Sequence, residues 1–145
     1  PLALEDPYVA HLHPGAGSPS YVAPEILRGE PLSLATDRYA LGVVLYEVLT
    51  GRPPFLGTTA EKLEAHEYRR PTPLRQLVPD LDPELALRIF DLLAKDPRNR
   101  PAELAALESR LRTLAAAAEI DAGETEGVVE TEGFREIDRS RKETS

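Results

Sequence analysis

The stretch from Ala35 to Phe55, ATDRYALGVVLYEVLTGRPPF, constrains this chain more than any other. From Tyr39 to Leu49 only Gly42 and Glu47 interrupt the apolar residues. The segment therefore has no wide polar face and reads as a central helix buried on nearly all sides. Ser33 or Thr36 can cap its first amides, Asp37 puts negative charge where the helix dipole favours it, and Gly51 with Pro53-Pro54 stops it. A helix of about 16 residues, roughly 24 Å long, is the result. Gly42 inside it costs about 1 kcal/mol relative to alanine, which implies that another group approaches the helix closely there.

The segments after it also read as helices. Thr58-Thr59-Ala60-Glu61 is a capping-box pattern opening a largely exposed helix to about Arg70, with Leu63 on its inner face. Pro71 to Pro79 reads as an irregular connection. Asp82-Pro83 supplies an N-cap and a first-turn proline for a helix to Lys95, in which Leu85, Ile89, Leu92 and Leu93 form one stripe. Pro101 is expected to open the last helix, with Leu104, Leu107, Leu111 and Leu114 facing the core. These stripes read as packing rather than as a cofactor site.

Charge divides the chain. Pro1 to Ala118 holds 13 basic and 16 acidic side chains, and Glu119 to Ser145 holds 4 and 9. The last segment has few large apolar residues, too few to offset the cost of ordering, and is expected to be a disordered acidic tail. Thr125 and Thr131 there are flanked by glutamates, a setting for acid-directed phosphorylation, though a plain solvated tail is the simpler reading. The net charge of −8 without a basic stripe argues against nucleic acid and anionic membranes as partners. No apolar run approaches the ~18 residues of a membrane span. The absence of cysteine excludes disulfides and thiolate chemistry and fits a reducing, cytoplasmic setting.

Pro1 to Pro24 is rich in proline and glycine and reads as irregular. His11 and His13 near Glu5 and Asp6 lack the rigid geometry of a metal site and read as ordinary loop residues. The segment ends in Gly17-Ser18-Pro19-Ser20-Tyr21-Val22-Ala23-Pro24-Glu25, a turn-rich run leading into a short helix that Gly29 and Pro31 stop.

Three motifs then fall in order: GSPSYVAPE, TDRYALGVVLYEVLTGRPPF after ten intervening residues, and LLAKDPRNRP from Leu92 to Pro101. Together they resemble the helical C-lobe of a eukaryotic-type (Hanks-type) Ser/Thr protein kinase, nearest its bacterial members, over roughly Gly17 to Leu114. The resemblance implies a mainly α fold. It divides the chain into the end of the activation segment and the P+1 loop (1–24), helical C-lobe (25–118) and acidic tail (119–145). It implies that Ser18, Pro19 and Tyr21 help form the shelf for the substrate residue that follows the phosphoacceptor. Ser18 stands where the family usually has threonine; it keeps the hydroxyl and lacks the methyl. Glu25 is expected to pair with Arg100, Asp37 to bond the backbone of the catalytic loop, and Val44 and Val48 to anchor the hydrophobic spine. Glu47 matches a position that meets a basic substrate residue in some relatives and is equally read as a helix salt-bridge partner.

The residues of phosphoryl transfer are another matter. The Gly-rich loop, its lysine, the HRD aspartate and the DFG aspartate are not in this sequence. Leu2-Ala3-Leu4 looks like the residues directly after DFG, and the chain lacks methionine. The expectation is therefore a kinase portion with no catalytic residue and no metal ligand of its own. ATP and Mg2+ would bind the parent protein, and the partners would be a protein substrate and the upstream N-lobe and catalytic loop. A catalytically inactive, kinase-like binding module presenting the Thr59 to Arg70 helix is the alternative. With no serine or threonine from Pro1 to Gly17, Tyr8 is the only hydroxyl there for regulatory phosphorylation.

Overall fold

The computed structural model describes residues 18–139, with the backbone alone beyond residue 122. The expectations for His11, His13, Tyr8 and Gly17 lie outside the described residues, as do those for the side chains of Thr125 and Thr131. Every regular element described is helical: α1 (Pro24–Leu27), α2 (Leu34–Thr50), α3 (Thr59–Tyr68), α4 (Leu74–Leu77), α5 (Pro83–Leu92), a 3₁₀ turn (Pro97–Asn99) and α6 (Ala105–Arg139). The chain is mainly α. It divides into two units, Pro1–Leu107 and Glu108–Ser145.

Local chemistry sets the boundaries in the first unit. The Thr36 amide donates to Ser33 Oγ at 3.3 Å while the Ser33 amide donates to Thr36 Oγ1 at 3.2 Å, so both expected caps act together at the start of α2. Gly51 ends that helix with φ 78°, a left-handed conformation that a side chain would disfavour, and its amide returns to the Glu47 carbonyl at 2.8 Å. Thr58 and Glu61 close the same reciprocal box on α3. Asp82 Oδ1 accepts from the Leu85 amide at 2.8 Å to begin α5.

The core gathers around one side of α2. Tyr39, Val43 and Tyr46 are buried together with Phe55, Leu63, Leu74, Leu85, Ile89, Leu92 and Leu93. α5 packs on α2 where Gly42 leaves room: a Cβ built on Gly42 would lie 2.8 Å from Leu92 Cβ. Only direct contact between the two helices makes that position so tight. A smaller cluster of Val22, Leu27 and Leu63 seats α1 on α3.

Four sequence expectations need correction. α2 is not buried nearly all round, because Val44 is 44% and Val48 74% exposed. Beyond its first turn the fully buried residues of α2 are Tyr39, Gly42, Val43 and Tyr46, which lie on the opposite side from Val44 and Val48. The connection from Pro71 to Pro79 contains α4, whose Leu74 is buried. The last helix starts at Ala105 rather than Pro101; the Ala102 carbonyl accepts from the Arg38 guanidinium instead of a helical amide. Finally, the backbone from residue 119 to Arg139 is helical, where regular structure was expected to stop at Ala118. Too little apolar surface denies that stretch a core of its own, but a helix satisfies its backbone hydrogen bonds internally. Its three glycines weaken it without breaking it, and no proline follows Pro101.

Candidate functional site

The segment Ser18 to Glu25 is short, polar at its start and buried at its end. Its first four residues make a turn in which the Tyr21 amide donates to the Ser18 carbonyl at 3.0 Å. Ser18 is exposed, and Pro19, Ser20 and Tyr21 are half-buried. Three groups from elsewhere grip the turn. Glu47 of α2 accepts from the Tyr21 hydroxyl at 2.5 Å, and that bond pushes the Tyr21 pKa above its ordinary value. From α3, Lys62 Nζ donates to Ser20 Oγ at 3.2 Å, and His66 Nε2 lies 3.0 Å from the Ser20 carbonyl.

Past the turn, Val22 and Ala23 are buried and Pro24 starts α1, which brings Glu25 inside. There the Arg100 guanidinium meets it with two parallel bonds, 2.6 and 2.7 Å, between groups 2% and 5% exposed as residues. Thr36 Oγ1 adds a third bond to Glu25 Oε1 at 3.0 Å. Burial alone would raise the Glu25 pKa, but the Arg100 hydrogen bonds and charge, with Thr36, hold it below the ordinary carboxylate value. The remaining Arg100 N–H groups reach the carbonyls of Ala94, Ala35 and Lys95. The Glu25 loop, the start of α2 and the turn before Pro101 are thus joined at one guanidinium.

The other residues singled out from the sequence lie elsewhere. Asp37 is exposed in the first turn of α2 and makes no side-chain bond among the described residues. Val44 and Val48 lie one turn apart on the uncovered face. Gly42 faces α5 on the opposite side.

The sequence reading assigned no role to His66 or Lys95. His66 is fully buried, with Nδ1 2.7 Å from the Tyr39 hydroxyl and its ring edge-on to Phe55 at 4.9 Å between centroids. Burial, then the charge of Lys95, takes its pKa down to about 4. Lys95 Nζ donates to the carbonyls of Ala65 and His66 at 3.0 and 2.7 Å and sits 4.8 Å from the centre of the Phe55 ring. Burial, then Arg100, lowers its pKa to about 8. The signal for His66 was available: it follows Leu63 by three residues, so the two share a face.

No group of three or more His, Asp or Glu able to hold a metal ion occurs among the described residues. The Ser18 to Glu25 segment contains no glycine and is not a Gly-rich phosphate cradle. A groove of about 550 Å3 is lined by Arg28, Glu30, Lys95, Asp96, Pro97 and Arg98. Its two arginines are paired with Glu30 and Asp96, and no residue of the turn lines it. No helix among the described residues is long and apolar enough to cross a membrane.

The turn-to-helix segment and the proline turn to which the buried Glu25–Arg100 pair fastens it both lie within a stretch that matches a known family. The sequence pattern of the protein kinase domain covers residues 7–111, and the chain belongs to that family. It is 38% identical over 112 residues to the serine/threonine-protein kinase Pkn1 of Myxococcus xanthus, covering 75% of this chain and 16% of that protein. It is 41% identical over 85 residues to PknB of Mycolicibacterium smegmatis, 58% of this chain and 14% of the relative. With PkaA of Streptomyces coelicolor the identity is 43% over 101 residues, 67% of this chain and 17% of the relative. The chain therefore spans less than a fifth of the length of each of these curated relatives.

Proposed function

We propose that this chain is the C-lobe portion of an ATP-dependent kinase that transfers phosphate to serine or threonine of a protein substrate. In this reading the turn Ser18–Tyr21 is the shelf for the substrate residue after the phosphoacceptor, and α2 and α5 are the scaffold that carries it. ATP and Mg2+ bind residues outside this sequence, and the chain alone transfers no phosphate. Signalling in the cytoplasm is the setting that the reading carries with it.

The observation that supports it best is the meeting of the three motifs at Arg100, whose guanidinium reaches Glu25 beside the shelf and the Ala35 carbonyl of α2. The uncovered apolar face at Val44 and Val48 agrees, since a buried position in a larger lobe explains apolar residues there. A binding-module reading draws on the outward side of α3, where Glu61, Glu64 and Tyr68 are exposed. The test is phosphate incorporation from Mg-ATP into serine and threonine peptides by the full-length protein. Incorporation is expected. Its complete absence from folded full-length protein overturns the kinase reading and leaves the binding module.

A further inference from the structure

α3 is polar in sequence, yet Leu63 and His66 lie on one side of it and both are fully buried. Each ring nitrogen of His66 meets a different element. Nε2 lies 3.0 Å from the Ser20 carbonyl, and Nδ1 lies 2.7 Å from the hydroxyl of Tyr39 in α2. A carbonyl oxygen carries no proton, so Nε2–H is the donor to Ser20, and in the neutral ring Nδ1 accepts from the Tyr39 hydroxyl. The edge-on rings of Tyr39 and Phe55 fix the plane of the imidazole. Lys95 holds the backbone of the same helical turn through the Ala65 and His66 carbonyls. One turn earlier on α3, Lys62 reaches Ser20 Oγ at 3.2 Å.

Ser20 is thus gripped at its carbonyl and its hydroxyl by two residues of one helix. It lies inside the turn that the Tyr21 amide closes on Ser18. We propose that His66 is a positioning residue for the substrate shelf: its imidazole, oriented by Tyr39, fixes the Ser20 carbonyl and with it the height of the Ser18–Tyr21 turn above α2. The proposal rests on the kinase reading for the word substrate and on geometry alone for the anchoring. His66 touches no reacting group, so its loss alters how the peptide binds rather than the transfer itself.

The test compares two carboxamides in the full-length protein. In His66→Gln the amide nitrogen reaches the place of Nε2, whereas in His66→Asn it stops near the place of Nδ1. The Gln variant is expected to keep hydrogen-exchange protection of the Tyr21 amide. The Asn variant is expected to lose about tenfold in protection and to raise the peptide KM about tenfold, with kcat and the KM for ATP unmoved. Equal protection in the two variants overturns the proposal, as does a fall in kcat at constant peptide KM. The wild-type protein supplies a check that needs no variant: imidazole nitrogen shifts must report the Nε2–H tautomer, and an Nδ1–H tautomer overturns the anchoring. Lost Tyr21 protection in the Asn variant, alongside wild-type protein that transfers no phosphate, upholds the anchor and overturns the kinase reading.

Discussion

Arg100 and Glu25 stand 75 residues apart in the chain and close on each other with two parallel bonds of 2.6 and 2.7 Å. All five N–H groups of the guanidinium have acceptors, because carbonyls from Ala35, Ala94 and Lys95 complete the set. Lysine has three donors on a single nitrogen and cannot serve that fork. Arg100→Lys and Glu25→Gln are each expected to destabilise the fold by about 3–5 kcal/mol, since each leaves a buried group without its partner. Replacing both, as Glu25→Gln with Arg100→Lys, should cost less than the sum of the single changes. Urea unfolding of the four proteins measures this, and strict additivity would show that the two side chains do not act as a pair.

A helix interior ordinarily favours alanine over glycine by about 1 kcal/mol. At Gly42 the sign should reverse. A Cβ there falls 2.8 Å from Leu92 Cβ and 3.0 Å from Leu93 Cδ2, and the first of these atoms is tied directly to a helix backbone. Gly42→Ala is expected to lower stability by about 1–3 kcal/mol through overpacking. A rise in melting temperature would mean that α5 moves aside freely.

How much of the structure was legible in the sequence depended on whether a signal was local. The cap of Asp82 on α5, the box at Thr58 and the stop at Gly51 are written in neighbouring residues, and the helices start or end there. The close approach at Gly42 was legible because a glycine inside an apolar helix weakens it unless a neighbour needs the space. Glu25 and Arg100 were joined only through the motif resemblance; nothing in either local stretch names the other. The burial of His66 was missed although it follows Leu63 by three residues, because it lies among charged residues on a ten-residue helix whose inward positions are Leu63, Ala65 and His66 alone. The uncovered side of α2 was not legible in its apolar pattern taken alone. An apolar face shows what can be buried, not whether a described neighbour covers it.

His66 sets a pH window. Its folded pKa of about 4 lies below the ordinary 6.5, so between these values the unfolded chain takes up a proton that the native chain refuses. Stability from this group is complete above about pH 6.5 and falls as the pH drops toward 4, by about 3 kcal/mol in all. The groups facing the ring are Tyr39, Lys95, Lys62 and the Ser20 carbonyl, and both cations oppose protonation. Glu25 acts lower, because its carboxyl is held below the ordinary 4.5. Melting temperature followed from pH 7 to pH 4.5 should therefore fall in the native sequence and fall distinctly less in His66→Gln. Parallel curves would place the proton uptake elsewhere.

Val44 and Val48 are 44% and 74% exposed and lie one turn apart on α2. In the 145-residue chain alone this face should bind a hydrophobic dye. Val44→Lys with Val48→Lys is expected to reduce that fluorescence several-fold while leaving stability within about 0.5 kcal/mol per site, as at ordinary surface positions. In the full-length protein the same pair should have the opposite character. If the rest of a kinase lobe covers α2, two buried lysines must lower its melting point and its activity together. Unchanged stability in both settings would mean that nothing covers this face, and the proposed place of the chain inside a larger lobe would fall with it.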